Sequence, residues 1–198
     1  MNINLIIPHI PAVLDRHIPC SAKTAGHILL NLASKIESSL ILFAKHTPFK
    51  SVSILTDPIE VLMRKLAPQS QKPEASANLN IILQLGASVQ DGRWHHASGF
   101  TVTSQPSNPQ SDQFSDLLIH QATQLLGPAA ISNPTTAICQ REHSAARLLD
   151  IAAAPTVLAT NLYIDNPHDA CILGSSSGIN LLAAVYSEAL EQYRDINQ

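Results

Sequence analysis

Pro155-Thr156-Val157-Leu158-Ala159-Thr160-Asn161-Leu162-Tyr163-Ile164-Asp165-Asn166-Pro167-His168-Asp169 is the stretch on which the reading of this chain turns. Small and apolar residues pass into an Asn/Asp-rich turn, the pattern of a buried strand that ends in a polar loop. Val157 to Ala159 is the expected heart of that strand. The end of such a strand is where sheets commonly display catalytic and binding side chains.

Working outward, Asn2 to Ile7 is an apolar run stopped by Pro8 and predicts a first buried strand. Ser51 to Thr56, Leu79 to Leu85 and Ser98 to Ser104 predict three more. Between Ser21 and Phe43, Ala25, Ile28, Leu29, Leu32, Ile36 and Leu40 recur at helical spacing and predict one buried face. Asp57 is expected to cap a short helix with Pro58 in its first turn. Ser107-Asn108-Pro109-Gln110 is expected to open a helix that runs to Leu126, with capping-box-like spacing. Arg141–Leu149 and Ser175–Arg194 are the remaining helices. Strands alternating with helices in this way predict an α/β fold: a single domain over residues 1–198, with a mixed, largely parallel sheet and helices on both faces. No internal repeat and no linker divides the chain.

Composition narrows the function classes. With 198 residues, 45% of them hydrophobic, the chain is long enough for one well-buried domain. Only 14% is charged, the net charge is −3, and no Lys/Arg cluster exceeds Arg64-Lys65, so no nucleic-acid partner is expected. Cys20, Cys139 and Cys171 show no CxxC spacing, which argues against a disulfide framework or a zinc knuckle. No apolar run approaches the roughly 18 residues of a membrane span. The first residues lack a basic region followed by a long apolar core, so the expected location is cytoplasmic, or periplasmic or extracellular if a leader is removed or lysis releases the protein.

Several segments together resemble the zinc-dependent N-acetylmuramoyl-L-alanine amidases, the cell-wall amidases. Pro155 to Asp169 is similar to their last motif, Pro-Ala-Val-Leu-x-Glu-x-x-Phe-x-x-Asn-x-x-Asp. Ala77-Asn78-Leu79-Asn80-Ile81-Ile82-Leu83-Gln84-Leu85-Gly86-Ala87 is similar to Ala-Asp-Leu-Phe-Val-Ser-Ile-His-Ala-Asn-Ala. Gly92 to Val102 resembles a Trp-x-x-Ala-x-Gly-aromatic strand, and Asp169 to Asn180 the segment that leads into the last helix. The likeness is nearly continuous from Asn78 to Tyr193 and weak before it. It implies a zinc-amidase architecture of the phosphorylase/hydrolase-like kind.

The resemblance also implies a site. The family holds zinc with a His after the first strand, a Glu at the start of the first helix and the His of Ser-Ile-His-Ala-Asn, leaving a position for an activated water. A final Glu takes the water's proton. His9 follows the first strand. The helix carboxylate falls near Ala25 or His27, neither of them acidic. Gln84 stands where the second His belongs and Thr160 where the catalytic Glu belongs. A neutral amide is a poor zinc ligand, and a threonine hydroxyl is no base near neutral pH. His9, His27 and Gln84 are therefore the ancestral metal positions, expected to be metal-free.

Other candidates come from the residues themselves. Trp94, His95 and His96, with Asn161, are the expected ligand cleft. Adjacent residues on an extended chain point to opposite faces, so His95 and His96 do not suit a shared ion. His9, His17 and His27 offer a relocated metal site, although their spacing matches no compact motif. His168, in the expected turn beside Thr160, is the replacement acid or base if chemistry persists. Gly174 to Gly178 has the Gly-x-Ser-x-Gly spacing around Ser176, but no His follows it in the chain. The expected function is an amidase-fold protein that has lost zinc catalysis, a pseudoenzyme without cofactor. It would act as a binding, scaffolding or regulatory domain for muropeptides, other peptidoglycan fragments or a protein partner. The alternative is an active zinc-dependent amidase with shifted ligands, cleaving the muramoyl–L-alanine bond.

Overall fold

Strands buried on both faces need apolar side chains in both directions, and the chain supplies them in continuous runs. The computed structural model describes residues 1–9, 23–43, 49–67, 78–87, 94–131 and 144–197. The elements follow in the order β1 (Asn2–Ile6), α1 (Ala25–Phe43), β2 (Ser51–Leu55), α2 (Ile59–Leu66), β3 (Asn78–Gly86) and β4 (Phe100–Ser104). Then come α3 (Pro109–Leu126), α4 (Arg147–Ile151), β5 (Thr156–Tyr163), α5 (Pro167–Gly174) and α6 (Ser176–Ile196). The five strands form one sheet in the order β2-β1-β3-β5-β4, parallel except for β4, which runs antiparallel to β5.

Alternation along the strands builds two cores. Ile3, Leu5, Leu79, Ile81, Leu83, Val157 and Ala159 face the larger one. There α1 buries the six positions whose spacing announced it, alongside Phe114 and Leu118 of α3 and Tyr186 and Leu190 of α6. Phe114 meets Tyr193 edge-on at 5.2 Å between ring centroids, and Phe100 meets Tyr186 at 6.1 Å. Ile6, Ile82 and Leu158 face the smaller core, which Leu62 and Leu66 of α2 and Leu148 and Leu149 of α4 close. Each such side chain contributes about 1.5–3 kcal/mol when fully buried. The α/β class, the largely parallel sheet and the helices on both faces are as the alternation of elements predicts.

Local details differ from the sequence reading. Asp57 does not cap α2; Pro58 occupies that place, and Asp57 instead accepts from Lys65 Nζ at 2.6 Å. Asn108, rather than Ser107, caps α3 by accepting from Ser111 N. Ser107 takes a left-handed turn at φ 57°. The start expected for the first helix, Ser21, and that of Arg141–Leu149 lie outside the described residues. β4 begins at Phe100, because Ser98 and Gly99 turn their polar groups toward Asp169. The Asn166-Pro167-His168-Asp169 turn is the first turn of α5, which the sequence reading missed.

The path β1–α1–β2 runs to one side of β1, and β2–α2–β3 returns to the other, with the two helices on opposite faces. Strand order therefore reverses between β1 and β3. In open α/β sheets the carboxyl ends of strands at such a reversal form the ligand crevice.

Candidate functional site

The register of β1, β3 and β5 stacks their side chains on the α2–α4 face in rungs. Farthest from the carboxyl ends, Asn4 Nδ2 donates to Asn80 Oδ1 at 2.8 Å and Asn80 Nδ2 donates to Thr156 Oγ1 at 3.1 Å. Thr156 Oγ1 in turn donates to the Ala154 carbonyl at 2.8 Å. Ile6, Ile82 and Leu158 form the apolar rung above. At the carboxyl end, Gln84 pairs in register with Thr160, and Gln84 Nε2 donates to Thr160 Oγ1 at 2.8 Å. Thr101 of β4 is level with Thr160. The structure thus brings Gln84 and Thr160 into direct contact at the strand ends, as neutral hydrogen-bond partners.

The next residues of β5 break the alternation. Leu162, wholly buried, adopts φ 66°, and the β3–β5 register shifts between Gln84 and Gly86. A left-handed leucine is strained by about 1–2 kcal/mol, so the surrounding packing must hold it. Asn161 follows Val157 and Ala159 onto the large-core face by alternation, and the left-handed turn brings Leu162 to the same side. Tyr186 Oη donates to Asn161 Oδ1 at 2.6 Å, and Asn161 Nδ2 is 3.2 Å from the carbonyls of Gln84 and Ala159. Every polar atom of that amide is engaged inside the protein, which corrects the expectation that Asn161 lines a ligand cleft. Burial raises the Tyr186 phenol far above the ordinary tyrosine range, while the Asn161 hydrogen bond pulls it the other way. Tyr163 lies over Gly86, where any side chain would overlap its ring.

Asp169 clamps the rim of this region. Its carboxylate accepts from Ser98 Oγ at 2.8 Å, Gly99 N at 2.8 Å and Tyr163 N at 2.9 Å. One side chain thereby joins the approach to β4, the end of β5 and the first turn of α5. The sequence reading gave Asp169 no role, although its signal is legible: Asn166 caps α5, Pro167 follows and an acid stands two residues later. Trp94, His95 and His96 are fastened beside it, since His95 N donates to the Asp165 carbonyl at 2.7 Å and Asn166 Nδ2 to the His95 carbonyl at 3.3 Å. Trp94 remains 44% exposed. His168 projects outward from α5 with 79% of its side chain exposed and Nδ1 3.6 Å from Asp169 Oδ1. It is a surface residue of a helix rather than a turn residue aimed at Thr160.

His9 and His27 are both exposed, His9 where the chain after β1 pairs with Pro58 and His27 in the first turn of α1. Among the described residues no three His, Cys, Asp or Glu side chains group closely enough to hold a metal ion. Gln84 commits its amide nitrogen, which cannot ligate, to Thr160. His9, His27 and Gln84 offer two imidazoles and one neutral amide, with no carboxylate among them. His17 of the relocated site, Cys20 and Cys139 lie outside the described residues, and Cys171 is an exposed thiol on α5. Ser176 is exposed at the start of α6 and preceded by a helix, not a strand; Ser175 caps α6 by accepting from Gly178 N at 2.9 Å.

No protein-family model matches the sequence, and no curated protein matches it. Solved structures do match in fold. An N-acetylmuramoyl-L-alanine amidase from Clostridium difficile 630 superposes with a TM-score of 0.69 at 12% identity, covering 99% of this chain and 98% of that one. The CwlD amidase from Clostridioides difficile, solved in complex with the GerS lipoprotein, gives 0.70 at 13% identity over 98% of each chain. The catalytic domain of CwlV, an N-acetylmuramoyl-L-alanine amidase from Bacillus (Paenibacillus) polymyxa var. colistinus, gives 0.60 at 16% identity over 99% of each. Identities this low speak to architecture and not to chemistry. From end to end, the chain carries the fold of the N-acetylmuramoyl-L-alanine amidases.

Proposed function

We propose that this protein is an amidase-fold binding domain that has lost zinc-dependent hydrolysis and retains recognition of muropeptides or related cell-wall fragments. The observation that carries the reading is the Gln84–Thr160 hydrogen bond. The resemblance puts a metal-ligating imidazole and a catalytic carboxylate at these two positions, and this chain fills them with a neutral pair that satisfies itself. Neither group takes a proton from water near neutral pH, and omitting a general base alone costs about 100- to 10,000-fold in rate. The exposed ring of Trp94, held beside the end of β5 through His95, offers an apolar platform for a sugar or peptide, with His96 at its rim. A regulatory partner is a further use of the same fold, consistent with the lipoprotein complex of CwlD.

Trp94 is the only tryptophan, so its fluorescence reports on this platform directly. Titration with a muramoyl-peptide is expected to shift or quench the emission saturably, with binding lost in Trp94→Ala measured by calorimetry. A wild-type chain that gives neither a spectral change nor binding heat would remove the muropeptide reading.

A further inference from the structure

The open flank of the sheet lies far in order from the Gln84–Thr160 rung. Among the described residues β2 pairs on one side only, with β1. The Leu55 carbonyl accepts from Ile7 N, so Leu55 faces β1, and by alternation Val52 and Ile54 direct their backbone N–H and C=O outward. Nothing in Ser51-Val52-Ser53-Ile54-Leu55 blunts that edge, which contains no charge and no proline. Beside it, between α1 and β2, is a groove of about 290 Å³ lined by Ile41, Phe49 and Val52, with Glu37 and Lys50 at its sides. Ile41 is 66% exposed, the most exposed large apolar side chain among the described residues. Among the described residues, neither the Glu37 nor the Lys50 side chain makes an ion pair there.

We propose that this edge is a self-association surface, on which a second copy of the chain pairs its β2 antiparallel to the first about a two-fold axis near Val52. A two-fold contact must be self-complementary, so every feature must meet its counterpart on the same patch. This patch carries a protruding isoleucine with an apolar groove, and an unpaired acid with an unpaired base. Antiparallel pairing centred on Val52 sets Lys50 of one copy beside Ile54 of the other, on the face that α1 covers. Glu37 on the second copy's α1 is the acid that approaches it. The product is one continuous sheet of two five-stranded halves, which removes both open β2 edges.

Sedimentation of the full chain across a concentration series tests this. The unmodified protein is expected to show a reversible monomer–dimer equilibrium. Ile41→Asp should weaken it by at least about tenfold, since a charge is then placed in the apolar seam. Glu37→Lys or Lys50→Glu alone should weaken it by about fivefold, as partly exposed pairs do, and the double exchange should restore it. Rescue by reversing both charges within one chain is expected only if the partner is the same chain. Circular dichroism of each variant separates a lost contact from a lost fold, and the charge exchanges lie on the surface. A chain that stays monomeric at its highest soluble concentration overturns the proposal, as does a dimer that Ile41→Asp leaves intact or that the double exchange does not restore.

Discussion

Replacing Asp169 by alanine probes the clamp that sets the rim of the site. The carboxylate is 1% exposed and accepts three hydrogen bonds, two of them from the backbone N–H groups of Gly99 and Tyr163. A hydrogen bond to a charged acceptor contributes about 1.5–3 kcal/mol, and a buried donor left without a partner costs about 1–3 kcal/mol. The three bonds share one acceptor group, so their losses do not add fully; about 3–5 kcal/mol is expected for Asp169→Ala. Asp169→Asn can keep its oxygen on the Gly99 and Tyr163 N–H groups, which share Oδ2, and turn its amide nitrogen to the Ser98 hydroxyl, so only the charge is lost and about 1–2 kcal/mol is expected. Urea unfolding followed by far-ultraviolet circular dichroism measures both. The platform is fastened to the same clamp, so Trp94 emission should shift toward the solvent-exposed wavelength before the global transition. A loss below about 1 kcal/mol for the alanine variant, or an asparagine variant as damaged as the alanine one, would refute the reasoning.

Three further outcomes follow from the same geometry. The Tyr186 phenol is raised by burial, and so is that of Tyr193, hence both stay protonated in the folded state where the unfolded chain ionises. Stability should therefore be complete below about pH 10 and fall as pH rises above it, by up to about 1.4 kcal/mol per pH unit for each phenol. Tyr186→Phe should remove its share of that slope while costing about 1–2 kcal/mol at neutral pH, read from denaturation midpoints across pH. Gly178→Ala drives a methyl into the Ile172 carbonyl at the 88° junction of α5 and α6 and should cost about 2–4 kcal/mol in thermal or urea unfolding. Gln84→His with Thr160→Glu should lose about 1–3 kcal/mol by burying a carboxylate at a fully covered position, and should gain no peptidoglycan hydrolysis in a dye-release assay.

The layers of the fold are legible wherever periodicity is strong. All six apolar positions read along α1 are buried, and the runs at Ile3–Ile7 and Leu79–Leu83 alternate between the two cores as continuous apolar strands must. Pairing of Gln84 with Thr160 was also within reach, because two strand ends of one parallel sheet share a level. The bulge was not. A leucine gives no sign of a left-handed backbone, and once Leu162 takes φ 66° its own side chain joins Asn161 on the large-core face. Asn161 misled the reading of the cleft for a simpler reason: alternation from Val157 and Ala159 already sends it into that core. Asn166-Pro167 reads equally well as a turn or as a helix cap, and only the three donors gathered by Asp169 decide between them.

The central claim is that the Gln84–Thr160 pair replaces hydrolytic chemistry with a neutral contact, and release of labelled stem peptide from muropeptides tests it most directly. Purified protein supplied with zinc is expected to release no more label than a heat-inactivated control. Release above that control that a chelator abolishes and added zinc restores would contradict the account.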